Sequence, residues 1–281
     1  MRTGTSERPD LPVAVVIGAG GMGMSIARRL GNHYRVLLVD LNAERVAERA
    51  AAMRDDGYDA RSHQCDITDS ASVDRLAETV AETGPCRAVA HVAAMSPSMG
   101  SWREILTLNL IGAAYVERAL LPRAQPATAA VFVSSVAAHL IGDPGAEAMA
   151  VLDDPLAPGF LEALENLVAE HTPAMAYSLA KLALNRMCER RAWAWGQRGA
   201  RIVSMSPGMI ATPMGALEFT GEGRDSKLKL LERTPLGREG TMVETADAIE
   251  FLVSSRASFI TGTDLLVDGG VRAAIRPSRE T

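Results

Sequence analysis

Short apolar runs recur along this chain, with longer amphipathic stretches between them. The runs are VAVVI (13–17), RVLLVD (35–40), DARSHQC (59–65), RAVAHVA (87–93), AAVFVS (129–134), RIVSMS (201–206) and DLLVD (264–268). Runs of this length that are rich in β-branched residues and do not alternate with polar ones predict strands buried on both faces. Helical spacing fills the gaps, so the pattern predicts an α/β fold. The expected form is a single-domain, Rossmann-type, doubly wound parallel sheet of about seven strands with helices on both faces. No internal repeat or low-complexity linker divides residues 1–281, and 1–10 are expected to be a flexible N-terminus.

Two stretches break the rhythm. Residues 140–173 carry turn signals at Asp143-Pro144-Gly145 and Asp154-Pro155, followed by a helical pattern from Phe160 to Glu170. Residues 207–240 are likewise bounded by Pro and Gly around a polar helix. Long connections in a compact fold are usually functional, and both of these follow the carboxyl ends of strands, the edge at which open α/β sheets bind ligands. The first is therefore expected to be an insertion beside the site and the second a substrate lid.

Composition narrows the function by exclusion. Apolar residues make up 47% and charged residues 22%, and the net charge is −5, which offers nothing to nucleic acid or anionic lipid. No uninterrupted apolar run is long enough to span a bilayer, and MRTGTSERPD lacks the apolar core of a signal peptide, so a cytoplasmic location is expected. Cys65, Cys86 and Cys188 form no ligand spacing, which predicts buried free thiols and no metal.

Chemistry enters at GAGGMG, Gly18 to Gly23, directly after the first predicted strand. Its glycines fit both G-x-G-x-x-G and a shortened G-x-x-x-G-x-G. A helix follows, and the second strand ends in Asp40. Backbone N–H groups at such a helix start can hold a pyrophosphate, and a carboxylate at the end of the second strand can accept from the adenosine ribose hydroxyls. Gly18, Gly20, Gly21, Met22, Gly23 and Asp40 are thus candidates for a dinucleotide site. Asp40 would repel a 2′-phosphate, so NAD is expected over NADP, although Arg45 lies within helical reach.

Further along, AYSLAK places Tyr177 and Lys181 at i and i+4 on one helical face. A neighbouring ammonium favours the phenolate and would lower the phenol pKa, which suits proton exchange with an alcohol or carbonyl. VFVSSVAA ends a strand in Ser134 and Ser135, where a hydroxyl could polarise a carbonyl oxygen. LNLIG sets Asn109 in an otherwise apolar helix, where it needs partners: neighbouring backbone, or a water relay.

Taken together these motifs resemble the short-chain dehydrogenase/reductase family over Val13 to Gly270. The resemblance implies an oxidoreductase moving a hydride between nicotinamide and a substrate carbon. It implies Ser135, Tyr177, Lys181 and Asn109 as the catalytic set, with Tyr177 as acid/base, Ser135 orienting the carbonyl, Lys181 tuning Tyr177 and holding the ribose, and Asn109 supporting a proton relay. CDITD resembles the family's adenine segment, which carries over to Asp66 and Ile67. SPGMIATPM resembles its P-G-x-x-x-T stretch, which implies nicotinamide and phosphate contacts at Ile210 and Thr212. VDGG resembles its closing turn.

The chain departs from the family pattern in three places. The glycine loop is one residue short, and Gly20 is expected to ease the deletion by taking a conformation costly for other residues. HVAA, His91 to Ala94, stands where the family has N-N-A-G; it keeps small residues at Ala93 for the cofactor, with His91 either a hydrogen-bond donor or a satisfied core histidine. Ser135 and Tyr177 are 42 positions apart. That layout is most similar to the bacterial 3α-hydroxysteroid dehydrogenase/carbonyl reductase branch. The resemblance also implies a homo-oligomer, dimer or tetramer, although an insertion here could cover the usual interface.

Met95, Pro97, Met99 and Trp102, together with Met209, Met214, Leu217 and Phe219, would line an apolar pocket. The substrate class expected is a hydrophobic secondary alcohol or ketone, such as a hydroxysteroid or polycyclic ketone. A non-catalytic NAD-binding sensor and an epimerase or dehydratase of the extended family are the alternatives.

Overall fold

The computed structural model describes residues 11–213 and 224–275, without the side chains of 224–227. Seven parallel strands run in the order β3-β2-β1-β4-β5-β6-β9. They are β1 (Val13–Ile17), β2 (Arg35–Asp40), β3 (Ala60–Gln64), β4 (Cys86–His91), β5 (Ala129–Val133), β6 (Arg201–Pro207) and β9 (Asp264–Val267). β1, β2 and β5 are buried at every position, as continuous apolar runs require. The strand order reverses at β1, between β2 and β4, and the crevice there opens at the strands' carboxyl ends.

Period-2 alternation sorts the strand side chains onto two faces. Ile17, Val39, Val89, Phe132 and Ile202 meet α3 (Ser70–Thr83), α5 (Ala113–Leu120) and α9 (Pro173–Gly196). Val16, Leu38, Ala90, Val131 and Met205 meet α1 (Gly21–Leu30), α2 (Ala43–Asp55) and the helix Met242–Val253. Each large apolar side chain taken fully out of water contributes about 1.5–3 kcal/mol. One register row on the first face runs Ile17, His91, Phe132, Ser204, Asp264 across β1, β4, β5, β6 and β9.

The insertion forms α7 (Ala146–Leu152) and α8 (Phe160–Leu167), preceded by the short α6 (Ala137–Leu140). Ala148, Leu152, Phe160 and Leu164 pack on α4 (Trp102–Leu106) and α9 in a third core cluster. Charged pairs rim it: Arg103 with Glu162 and Glu165, and Asp153 with Arg186 and Arg190. The insertion therefore covers the outer faces of the helices that carry Asn109 and Tyr177. Trp102–Arg123 is a continuous helical stretch with mean hydropathy 1.2, long and apolar enough to cross a membrane, and 56% of that window is buried within the protein.

The sequence pattern did not predict a second, two-stranded parallel sheet. It joins β7 (Ile210–Ala211) to β8 (Gly240–Thr241). The expected pocket residues Met214, Leu217 and Phe219, like the N-terminal 1–10, lie outside the described residues.

Candidate active site

At the carboxyl end of β1 the chain turns at Gly18, with φ +103°, a region that favours glycine. A Cβ there would sit 2.7 Å from the Ala93 nitrogen, because the segment after β4 folds over the loop and the N–H groups of Val92 and Ala93 both donate to the Ile17 carbonyl. A Cβ on Gly23 would lie 1.8 Å from the Gly18 carbonyl oxygen. Gly21 faces the side chains of Met242 and Pro213.

Gly20 does not behave as the shortened-loop reading expects. Its backbone is extended, with φ −71° and ψ −172°, open to any residue, and a Cβ would meet nothing within 4 Å. The strain of the turn is absorbed at Gly18. Gly20 instead keeps open space in front of α1, a helix with no side-chain cap at its start. The N–H groups of Gly21, Met22 and Gly23 belong to a first turn that has no acceptors within the helix, so they suit an anion.

Asp40 ends β2 beside this loop. Its carboxylate accepts from the Ala19 N–H at 2.8 Å and the Asn42 N–H at 3.1 Å, and it contacts the Arg45 guanidinium. Burial disfavours its charge, but these backbone donors and Arg45 outweigh burial and hold the carboxyl below its ordinary pKa. Arg49 donates to the Ala19 carbonyl, a contact the sequence reading missed. A loop cleared by glycine, an uncapped helix start and an anchored acid fit a dinucleotide.

Asp66 and Ile67 flank the adjoining crevice. The Asp66 carboxylate accepts from the Thr68 N–H and hydroxyl at 2.9 and 2.7 Å, and Ile67 packs on Gly112. Ile210 is 8% exposed on β7, and Thr212, partly buried, follows it by two positions.

The catalytic candidates converge from β5 and α9. Thr172 caps α9 through the Met175 N–H, and Pro173 opens its first turn. The Ser135 side chain is near enough to the Tyr177 phenol to favour its charged form. The Lys181 ammonium lies 5.6 Å from the centre of the Tyr177 ring and donates to the Val133 carbonyl at 2.8 Å. Ser134 faces the other way and donates to the Lys181 carbonyl at 3.0 Å, tying β5 to α9. Of the serine pair, then, only Ser135 faces Tyr177.

The expected lowering of the phenol pKa is absent. Burial pushes the Tyr177 phenol up and Ser135 pulls it only partly back, while burial draws Lys181 down to about 7. The ammonium lies 5.6 Å from the ring centre and donates to a carbonyl instead of to the phenol oxygen, and desolvation acts against both charged forms.

Asn109 sits in a π-helical turn, Thr107–Gly112, inside the α4–α5 stretch. Such single-turn bulges frequently mark functional sites. Both ends of its side chain are used on Met95: Oδ1 accepts from the Met95 N–H at 2.8 Å and Nδ2 donates to the Met95 carbonyl at 2.9 Å. Asn109 therefore pins the segment after β4. His91 is 1% exposed and stacks on Phe132 at 5.2 Å, yet neither ring nitrogen has a protein partner, so it is not a satisfied core histidine.

Trp102, expected on the pocket wall, is 5% exposed and packed under the insertion against His171. Met95, Pro97 and Met209 remain partly exposed and Met99 is exposed. A cavity of about 510 Å³ is lined by Met209, Pro235, Leu236, Leu266 and their neighbours. Ser135 and Tyr177 do not line it. Among the described residues, the three cysteines are free and buried, and no group of potential ligands could hold a metal.

This combination of sheet order, glycine turn and Ser–Tyr–Lys cluster defines a nucleotide-binding oxidoreductase. Residues 12–146 match the short chain dehydrogenase family model, and 162–272 match the model described as enoyl-(acyl carrier protein) reductase. The chain is 33% identical to a short-chain dehydrogenase/reductase, bsc3, of Alternaria brassicicola, covering 95% of this chain and 97% of that one. It is 31% identical to a D-threitol dehydrogenase of Mycolicibacterium smegmatis, covering 94% of each. The 3-alpha-hydroxysteroid dehydrogenase/carbonyl reductase of Comamonas testosteroni is 32% identical over 66% of this chain and 73% of its own length. In fold it is similar to an actinorhodin polyketide ketoreductase solved with NADPH, with TM-score 0.74, 22% identity and coverage of 94% of this chain and 98% of that one. The chain belongs to the short-chain dehydrogenase/reductase family, whose members are oxidoreductases that bind a nicotinamide cofactor.

Proposed function

We propose that this protein is an NAD(H)-dependent oxidoreductase for a hydrophobic secondary alcohol and its ketone, with a cyclic compound such as a hydroxysteroid or polycyclic ketone as the substrate type. The observation that carries the reading is the gathering of Ser135, Tyr177 and Lys181, with the Lys181 ammonium 5.6 Å from the Tyr177 ring centre, at the same sheet edge as the anchored Asp40. When bound, the nicotinamide supplies the hydride acceptor or donor, and the chain supplies position and proton. Gly18, Gly20, Gly21, Met22 and Gly23 would hold the pyrophosphate, Asp40 the adenosine ribose, and Asp66, Ile67 and Ala93 the adenine side. Ile210, Thr212 and Lys181 would hold the nicotinamide end.

Ser135 donates to the substrate oxygen, and Tyr177 gives its proton to that oxygen in reduction or takes one in oxidation. Because burial keeps the phenol protonated at neutral pH, Tyr177 is poised there as an acid, the state that ketone reduction needs. Asn109 fixes the Met95 segment that faces the substrate. Partly exposed Met95, Pro97 and Met209 favour an apolar substrate. Relatives at 28–31% identity include a cis-4-hydroxycyclohexanecarboxylate dehydrogenase as well as the D-threitol enzyme, so ring alcohols and polyols are the two classes to compare. We place the enzyme in the cytoplasm as a homo-oligomer whose contacts avoid the face covered by the insertion.

The test is nicotinamide absorbance against matched ring alcohols, polyols and their ketones with NAD and NADP. Turnover of ring compounds with NAD supports the reading. Turnover of polyols alone, or tighter binding of NADPH than NADH, contradicts the substrate or the cofactor assignment respectively.

A further inference from the structure

The end of the sheet away from Tyr177 carries a second cavity, of about 530 Å³. Its walls come from the amino ends of five strands: Pro12 before β1, Tyr34 before β2, Arg87 in β4, Ala127 before β5 and Arg201 at the start of β6. The far end of the helix Met242–Val253 closes the remaining side, with Val253 followed by Ser254, Ser255 and Ser258. The candidate active site uses none of these residues. In size the cavity matches sites that take small organic ligands.

The charge along its walls is one-sided. Arg87, Arg201 and His33 line it, and no carboxylate does. Arg87 spends one of its five N–H donors on the Gln125 side-chain oxygen at 3.1 Å. Arg201 donates to the carbonyls of Ile260, Leu252 and Ser254 at 3.1, 2.9 and 3.1 Å. Such carbonyls offer only partial charge, and burial still draws Arg201 below the ordinary arginine pKa. Glu250, outside the lining, sits 3.5 Å from His33 Nε2 and so balances at most the imidazolium. Burial and Glu250 raise the Tyr34 phenol, which therefore presents a neutral hydroxyl and an apolar ring. The two guanidiniums stand on the strands either side of β5 without a counter-ion among the described residues.

The turn between them is held in a costly shape. Ala127 has φ +69°, and among the described residues it is the one non-glycine position with positive φ. Its N–H donates to the Gly199 carbonyl at 2.8 Å, while the Thr128 hydroxyl accepts from the Gln125 N–H at 3.0 Å and donates to the Cys86 carbonyl at 2.8 Å. These bonds fix Gln125, the partner of Arg87. Backbone strain of this kind gathers at ligand sites, where the surrounding structure holds it in place.

We propose that this cavity binds a phosphate monoester with an apolar body, the phosphate between Arg87 and Arg201 beside the Ser255 and Ser258 hydroxyls, and the body against Tyr34, Pro12 and Val253. A dianion with three terminal oxygens matches two guanidiniums and flanking hydroxyls, whereas one carboxylate would leave a guanidinium unmet. The site is independent of the substrate and cofactor assigned to the opposite end of the sheet.

The experiment titrates the whole protein with phenyl phosphate by calorimetry, with NADH and NADPH both present at saturation so that the glycine loop is filled. One saturable event per chain is expected, several-fold tighter than for inorganic phosphate, with no binding of phenol. Arg87→Gln should weaken it about tenfold, the loss of a hydrogen bond to a charged group. Ser258→Glu, at an exposed position that carries no packing, should abolish it and keeps the test open should the arginine variant fail to fold. Absence of saturable binding, equal affinity for inorganic phosphate, or wild-type affinity in either variant overturns the inference. None of these readings involves turnover, so failure of the substrate panel leaves them untouched.

Discussion

The glycine loop and the helix of Tyr177 and Lys181 meet at the same edge of the sheet but are built by opposite means. In the loop, backbone packs on backbone: Gly18 against Ala93 and Gly23 against the Gly18 carbonyl, with no room for even a Cβ. Along α9 and the strands beneath it, side chains carry the structure, and several are polar and buried, among them Lys181, Ser134, His91 and Ser204. The first region is defined by atoms that must be missing. The second is defined by charges and hydroxyls that must be partnered, and it is there that protonation changes behaviour.

The largest effect should separate two glycines of the same loop. Gly23→Ala drives a methyl to 1.8 Å from a carbonyl oxygen, a backbone clash that no rotamer relieves, and should cost at least ~3 kcal/mol or abolish folding, read by urea denaturation. Gly20→Ala should leave stability within ~0.5 kcal/mol, since its backbone is extended and its Cβ meets nothing, yet weaken dinucleotide binding measured by calorimetry. Equal destabilisation of the two would erase the distinction between a packing glycine and a clearance glycine.

On the catalytic side, Tyr177→Phe should lower kcat by ~10²–10⁴ while the melting temperature stays close to wild type. Lys181 supplies a pH signature. Its folded pKa, about 7, lies below the ordinary 10.5, so between those values the unfolded chain binds more protons than the native one. Stability of the cofactor-free protein should rise with pH across that window, and Lys181→Met should flatten the rise in thermal melts at pH 7 and 9.5. A smaller effect belongs to Arg45→Ala. Freeing the Asp40 carboxylate from its guanidinium should shift preference further toward NADH over NADPH, by a few-fold in Kd.

Much of this molecule was legible in its sequence because burial on both faces leaves a continuous apolar signature, and all seven predicted strands lie in the sheet within a residue or two of their expected ends. The cluster of Ser135, Tyr177 and Lys181 followed from helical spacing and from motif resemblance. What stayed hidden depends on three-dimensional approach. Nothing local marks Gly18 instead of Gly20 as the strained turn, because the reason is Ala93, more than seventy residues later. Trp102 looked like pocket wall until the insertion was seen to pack over it. The π-turn around Asn109, the pairing of strands β7 and β8, and the polar row under α9 all arise from register and packing, to which hydrophobic periodicity is blind.

The central claim is that Tyr177, raised in pKa by burial, works as the proton donor of a nicotinamide-dependent carbonyl reduction. The most direct measurement is the pH dependence of kcat in both directions, followed by nicotinamide absorbance, for wild type and Tyr177→Phe. The account predicts a reduction rate that holds at neutral pH and falls as the phenol ionises at higher pH, an oxidation rate that rises over the same range, and loss of both in the variant. Undiminished turnover in Tyr177→Phe, with the wild-type pH profile retained, would contradict it.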